Sequence, residues 1–325
     1  MAVYTIIEAD VMASLLITYS IGELISLEPI SSGVENTNYR LRTTSGRFIV
    51  TIYEDRVNTD DLPYFLSVKQ DLAQSSLLVP KPIGNKSGQV LFKFGNKFGA
   101  IFSHLNGHEV QAIGKDECFI VGETLAKIHS AKMPNALNRP NSMGPDNWLE
   151  MWEDFAGRQD ISIESDLSWF PEELEFVVNN WPDNLEKGVI HADLFPDNVL
   201  FEQGQISGVL DFYFACNDLF AYDLAIAITA WCFDKNNDFA PLLATALLDG
   251  YTSCRPLKHA EQLALPILLR GAAIRFSLTR LADSSAKKAD VGLQKSPAEF
   301  LQRLQFFRSE TDSAATDKPA WSQPL

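Results

Sequence analysis

The sequence predicts an α+β fold in two lobes: an amino-terminal five-stranded antiparallel sheet with helices, then a mostly helical lobe. Three observations carry this. Runs with strand character, bounded by Gly, Ser and Asn, recur five times before residue 104. After Ser103-His104-Leu105-Asn106-Gly107 helical patterns dominate. A chain of 325 residues is long enough to bury two such lobes.

In order, Thr5-Ile6-Ile7-Glu8 has the spacing of a capping box, and Val11, Leu15, Leu16 and Tyr19 follow at helical intervals until Gly22 interrupts them. Leu24 to Ile30, Asn38 to Thr43 and Arg47 to Tyr53 read as strands, separated by Ser31 to Thr37 and by Thr44-Ser45-Gly46. Asp60 or Asp61 caps a helix with Pro63 near its first turn, running through Phe65, Leu66, Val68 and Leu72. Past Pro80 and Pro82, strands Gln89 to Phe94 and Phe98 to Phe102 flank the turn Gly95-Asn96-Lys97, which favours positive φ. The first lobe is therefore residues 1–103 and the second 104–308, opening with a helix from Phe119 to His129 that carries Ile120, Leu125 and Ile128 on one face. A cleft between a β lobe and an α lobe is a natural nucleotide site. Polar residues 309–325, with Pro319 and Pro324, read as a disordered tail, and Ala282 to Lys295 as a mobile loop.

Forty-two acidic against 27 basic residues give a net charge of -15, a field that disfavours nucleic acid and anionic membranes as partners. Cys118, Cys216, Cys232 and Cys254 are widely spaced, without Cys-x-x-Cys, and read as core residues of a reducing compartment rather than a zinc site. Neither a signal peptide nor a membrane span is visible, so a cytoplasmic protein is expected. Oligomeric state is not legible.

The chemistry concentrates in His191-Ala192-Asp193-Leu194-Phe195-Pro196-Asp197-Asn198. Two strand-like runs follow, Asn198 to Phe201 and Ile206 to Leu210, about a glycine turn, and then Asp211. Asn198 and Asp211 sit symmetrically about Gly204-Gln205, so antiparallel pairing sets them side by side at the open end of the hairpin that Asp193 feeds. An amide oxygen and two carboxylates, without thiolate or imidazole, suit Mg²⁺, which completes its shell from water and phosphate oxygens. This is the pattern of a kinase-type phosphoryl-transfer site: one aspartate receives the hydroxyl proton, while an asparagine and a second aspartate hold metal. His191 reads as a buried histidine that fixes the loop. The loop at Gly33, Val34, Glu35 and Asn36 lacks Gly-x-Gly-x-x-Gly, yet stands where backbone amides could cover nucleotide phosphates; a plain hairpin turn would look the same.

On His191 to Asn198, Leu210-Asp211-Phe212 and Asn217-Asp218-Leu219-Phe220-Ala221-Tyr222-Asp223-Leu224-Ala225, the chain resembles the aminoglycoside phosphotransferase/choline kinase group, which has a protein-kinase-like two-lobe fold. On Gly33 to Tyr39, Phe48 to Glu54, Asp61-Leu62-Pro63, Asp211 to Asp218, Ala230 to Phe233 and Arg270 to Ala273, it is more closely similar to the bacterial homoserine kinases of that group. The similarity spans about residues 1–308. It implies ATP- and Mg²⁺-dependent phosphorylation of the side-chain hydroxyl of L-homoserine, a step of threonine biosynthesis. It further implies that Asp193 is the catalytic base or hydroxyl-orienting group, that Asn198 and Asp211 are metal ligands, that the Gly33 to Asn36 turn covers the phosphates, and that backbone groups near Ser103 to Leu105 meet adenine. Choline, a methylthio-sugar, an aminoglycoside or another amino alcohol are the alternative acceptors, and a nucleotide-binding pseudokinase the non-enzyme alternative.

One departure stands out. Most kinases carry a cation on the third strand and a glutamate on the following helix. Here Thr51 takes the first place, and Tyr64 to Val68 offers no glutamate. Arg56, Lys69 or metal alone is left to neutralise the nucleotide phosphates. Homoserine carries an ammonium and a carboxylate, for which Asp218 and Arg275 are the candidate partners. Asp223 reads rather as the cap of an apolar helix, and Trp231 as core.

Overall fold

The computed structural model describes residues 4–30, 36–54, 57–135, 137–157, 166–284 and 296–313. They form two compact units that do not follow the chain in order. The first takes residues 1–109, 131–139 and 198–213; the second takes 110–130, 140–197 and 214–325.

The first unit holds the expected five-stranded antiparallel sheet: β1 (Leu24–Ile30), β2 (Thr37–Thr43), β3 (Gly46–Ile52), β4 (Leu91–Phe94) and β5 (Lys97–Ser103), in the order β1-β2-β3-β5-β4. Alternation along these strands gives the sheet two different faces. Tyr39, Leu41, Val50, Ile52 and Ile101 form a core with Met12 and Leu16 of helix α1 (Ala9–Leu16). The helix is turned by one residue from the expected face, with Met12 buried and Val11 exposed. No capping box forms. Thr5 Oγ1 donates to Glu54 Oε1 at 2.7 Å, and the cap residue, Glu8, makes no side-chain capping bond among the described residues. Helix α2 (Leu62–Gln74) has Asp61 at its cap position, but the carboxylate accepts from Arg139 Nε at 3.0 Å, and the cap bond is made by Asn58 at the head of a short 3₁₀ turn, Thr59–Asp61.

A second, three-stranded sheet in this unit pairs β6 (His108–Glu109), β8 (Val199–Glu202) and β9 (Gln205–Val209). Gln203 and Gly204, both at positive φ (53° and 74°), make the two-residue turn of the β8–β9 hairpin, a geometry whose twist matches the strands. The hairpin was expected and β6 was not. The turn falls one residue before the expected Gly204-Gln205, which shifts the pairing by two residues, and a bulge at Leu200/Phe201 restores one of them. Val199 stands opposite Val209, and Leu210 N donates to Asn198 O at 2.8 Å, so Asn198 lies across from Leu210 rather than from Asp211. Asp211 is the next residue, still at the open end.

The second unit is mostly helical, with one two-stranded sheet of β7 (Lys187–Ile190) and β10 (Cys216–Leu219). Its helices are α3 (Lys115–Ser130), α4 (Pro145–Ala156), α5 (Phe170–Asn179), α6 (Phe220–Trp231), α7 (Pro241–Cys254), α8 (His259–Ser284) and α9 (Ala298–Ser313). Every residue of α6 is buried, as an all-round apolar sequence requires. Helices α3 and α7 meet backbone to backbone: a Cβ at Gly122 would lie 2.0 Å from Leu247 O, and one at Gly250 1.9 Å from Phe119 O. Helix α8 continues to Ser284 and α9 to Ser313, inside stretches read as mobile from the sequence; residues 285–295 and 314–325 lie outside the described residues. No described helix is long and apolar enough to cross a membrane.

Candidate active site

The loop after β7 is built from buried partners. His191 has no exposed surface, and its Nδ1 accepts from Asp193 N at 3.2 Å, fixing the loop as its sequence position suggested. Ala192 takes a left-handed conformation (φ 61°), which holds Asp193 in a tight reversal. Asp223, in the first turn of α6 and wholly buried, supplies the anchor. Its Oδ2 accepts from His191 N at 2.7 Å and its Oδ1 from Ala192 N at 2.8 Å. The same carboxylate lies 3.0 Å from His129 Nε2, and His129 Nδ1 lies 2.8 Å from Tyr251 Oη, to which Arg255 donates at 3.1 Å. Because Arg255 only donates, the Tyr251 hydroxyl proton is free for Nδ1, and Nε2–H then faces Asp223. Burial pushes the His129 pKa down, so the ring is neutral at pH 7. Burial alone would raise the pKa of Asp223, but the His129 bond and the His191 amide outweigh it and keep the carboxylate ionised. Asp223 is thus a loop anchor and not the helix cap that its sequence position suggested; the cap residue of α6 is Leu219.

Arg275 of α8 closes the other side. It is buried, donates from Nη1 to Ala192 O and lies 3.8 Å from Asp193 Oδ1. Its guanidinium lies 4.2 Å from the centre of the Phe276 ring and 5.0 Å from that of Phe214, and among the described residues its Nε has no hydrogen-bond partner. The flanking arginines are committed elsewhere, Arg270 to Glu173 and Arg280 to Glu299. Trp231 is core, and its Nε1 donates to Leu194 O at 2.8 Å. The Asp193 side chain keeps 18% of its surface open, enough to meet a reactant hydroxyl. Asp218 is half-buried; its Oδ1 accepts from Leu219 N and its Oδ2 from Asn141 Nδ2, both at 2.8 Å.

Between Asp197 and Asn198 the chain passes into the first unit. Asn198 ends a 3₁₀ turn, Pro196–Asn198, at the head of β8. Asp211 has φ 52°, and its Oδ1 accepts from Tyr213 N at 3.3 Å. Lys69 of α2 is buried, with its ammonium 4.6 Å from the centres of both the Phe102 and Tyr213 rings. Burial pulls its pKa down to about 8, against the charge of Asp211, which pulls it up. Thr51 Oγ1 donates to Asn38 Oδ1 at 2.7 Å. Of the loop expected over nucleotide phosphates, Asn36 is described, its Oδ1 accepting from Glu54 N at 3.2 Å; Gly33, Val34, Glu35 and also Arg56 lie outside the described residues. The Ser103 amide donates to Lys81 O at 2.9 Å, whereas the backbone of Leu105 makes no hydrogen bond among the described residues.

Among the described residues no group of three or more His, Cys, Asp and Glu side chains could hold a metal on its own. Asn198 and Asp211 offer only hard oxygens. That suits a divalent cation that takes most of its shell from water and phosphate.

Residues 26–257 match the model of the phosphotransferase enzyme family. The chain belongs to that family. It is 42% identical over 315 residues to a homoserine kinase of Sinorhizobium fredii, covering 97% of each chain. It is 44% identical over 310 residues to one of Brucella anthropi, covering 95% of each. Among solved structures, an amicoumacin kinase in complex with AMP-PNP and Ca²⁺ superposes with TM-score 0.68 at 17% identity, covering 96% of this chain and 95% of that one. An ethanolamine kinase of Plasmodium vivax gives 0.59 at 15%, covering 88% and 84%. At such identities the structural likeness speaks to the fold alone, and it bears out the protein-kinase-like architecture; the family match and the 42–44% identical relatives bear out the resemblance read from the motifs. The sequence reading missed the use of Asp223, His129 and Asn141. A lone carboxylate inside twelve otherwise uncharged helical residues was the available signal for Asp223; nothing local marked the other two.

Proposed function

We propose that the chain is a homoserine kinase, transferring the γ-phosphoryl group of ATP to the side-chain hydroxyl of L-homoserine in threonine biosynthesis, and that it works in the cytoplasm. Near-full-length identity of 42–44% to homoserine kinases supports the acceptor. The observation that carries the chemistry is the anchored, partly open carboxylate of Asp193.

Asp193 accepts the hydrogen bond of the acceptor hydroxyl and takes its proton as the oxygen bonds to Pγ and the bond from Pγ to the β,γ-bridging oxygen breaks, releasing ADP. Arg275 holds the loop carbonyl behind this aspartate, so that the carboxylate does not reorganise during the step. Asn198 and Asp211 would hold Mg²⁺, which screens charge on the phosphates. The unbonded backbone of Leu105 suits the edge of adenine. Asp218 and Arg275 are our candidates for the ammonium and carboxylate of the amino acid. The amide of Asn36 and the residues before it are our candidates for covering the phosphates.

ADP release measured on homoserine, choline, a methylthio-sugar and an aminoglycoside tests the acceptor. Turnover on homoserine is expected, and turnover on choline without homoserine would sink the reading. Asp193→Ala should lower kcat roughly 10²- to 10⁴-fold with ATP affinity kept. Wild-type kcat in that variant would remove Asp193 from the chemistry.

A further inference from the structure

The missing third-strand cation has a counterpart in the first unit. Thr51 stands opposite Ala100 in the β3–β5 pairing, and Phe102 follows two residues along β5. Directly paired residues share a face and strand neighbours alternate, so Thr51, Ala100 and Phe102 project from one side of the sheet. Val50, Ile52 and Ile101 project from the other, into the core with α1. The Lys69 ammonium, 4.6 Å from the Phe102 ring, therefore lies on the face from which a lysine at position 51 would project. Thr51 itself is spent on Asn38.

Lys69 also differs from the other described lysines and arginines of this unit. Lys97 is paired with Glu54, Arg47 with Asn106, Arg139 with Asp61, and Arg40, Arg42, Lys81, Lys86, Lys93 and Lys132 are exposed. Lys69 has 4% of its surface exposed and, among the described residues, neither a hydrogen bond nor an ion pair. A buried ammonium without an anion is costly to keep, and it carries three N–H donors. The faces of Phe102 and Tyr213 stabilise its charge but accept no conventional hydrogen bond. Tyr213 is two residues from Asp211, a proposed metal ligand, so the ammonium sits in the neighbourhood where nucleotide phosphates would be held.

We infer that Lys69 is the phosphate-binding cation of this chain, delivered from helix α2 to the face that a third-strand lysine serves in most kinases. The helix that elsewhere offers a glutamate here offers the cation itself, so no paired acid is needed. This rests on the kinase reading given above.

The test is nucleotide affinity by titration calorimetry, comparing ATP with adenosine. Lys69→Met should weaken ATP roughly 10- to 100-fold, the worth of one or two charge-assisted hydrogen bonds, and leave adenosine within about twofold. Methionine fills the slot between two rings well, so the melting temperature should hold or rise. Lys69→Arg should keep more ATP affinity than Lys69→Met, and Thr51→Lys added to Lys69→Met should restore part of it. Equal ATP affinity in wild type and Lys69→Met overturns the inference, as does an equal loss for ATP and adenosine. If wild type binds no ATP, the kinase reading falls with it; if wild type binds ATP and turns over homoserine, only the role of Lys69 is at stake. A second measurement needs no variant. With an acyl-phosphate derivative of ATP, a lysine amine attacks the acyl carbon, keeps the acyl group and releases ATP. Acylation of Lys69 that excess ATP suppresses is expected, and acylation confined to other lysines overturns the assignment.

Discussion

The loop around Asp193 and the face around Lys69 solve opposite problems. In the loop, polar groups are answered inside the protein: Asp223 takes the amides of His191 and Ala192, Arg275 takes the Ala192 carbonyl, and Trp231 takes that of Leu194. On the face, an ammonium is held by two rings, and past the end of β5 the backbone of Leu105 makes no hydrogen bond among the described residues. Internal satisfaction fixes geometry before a reactant arrives. Groups left with unused hydrogen-bonding capacity instead gain partners from a ligand, and that gain is binding energy. The loop therefore has the character of a catalytic support and the face that of a binding surface. Variants of the first should disturb stability and kcat, and variants of the second should disturb affinity.

The largest effect should come from Asp223→Ala. It leaves two buried amides and the His129 Nε2–H without an acceptor. Breaking one side of such a buried charged network costs about 3–5 kcal/mol. Equilibrium urea unfolding would report this, and Asp223→Asn, which retains one oxygen, should fall between the variant and wild type. A loss below about 1 kcal/mol for the alanine variant would mean that the loop is held by something else, and the contrast drawn above would fail on its stronger side.

Next in size is Arg275→Met. Its bond to Ala192 O is charge-assisted, and such bonds contribute roughly 1.5–3 kcal/mol. If that energy orients Asp193, kcat should drop about tenfold or more while the ATP Kd is unchanged. If instead Arg275 meets the carboxylate of homoserine, KM for homoserine should rise with kcat nearly constant. Steady-state kinetics at varied homoserine separates the two, and a variant indistinguishable from wild type on both constants would leave Arg275 with packing alone.

How much of this was legible in the sequence depends on the range over which each signal acts. The five strands of the first unit were readable because alternation and glycine turns are local. The β8–β9 hairpin was readable too, but its register was not: the turn uses Gln203-Gly204 rather than Gly204-Gln205, and Ser207, the extra residue of the bulge, looks like any strand residue. Strand β10 reads Cys-Asn-Asp-Leu, without an apolar alternation, and owes its existence to pairing with β7. The reaction class was legible in Asp193, Asn198 and Asp211 because their spacing is short. Asp223 was misread because its partner His129 is 94 residues away, and a carboxylate near a helix start looks like a cap. Lys69 was visible only as one of three possibilities, since the sheet face it reaches is a property of register.

The smallest expected effect tests whether the loop network extends as far as His129. Its folded-state pKa is lowered by burial, from an unfolded value of about 6.5. Above pH ~6.5 both states carry a neutral ring and the group contributes its full stability. As pH falls below ~6.5 the unfolded chain takes up a proton that the folded ring refuses, so stability declines by at most about 1.4 kcal/mol per pH unit. Asp223 and Glu261 nearby favour the protonated ring and Arg255 opposes it, so the decline should fall short of that limit. His129→Gln removes the titrating group. Urea unfolding between pH 5 and 8 should then give a shallower slope below pH ~6.5 than wild type, even though lost bonds to Tyr251 and Asp223 lower the variant's stability throughout. The pKa of His104 is also lowered, and its contribution is the same in both proteins, so the difference in slope belongs to His129. Equal slopes would show that the ring gains its proton as readily in the fold as outside it. Asp223 would then face an imidazolium, and the loop around Asp193 would rest on a buried ion pair rather than on a neutral donor.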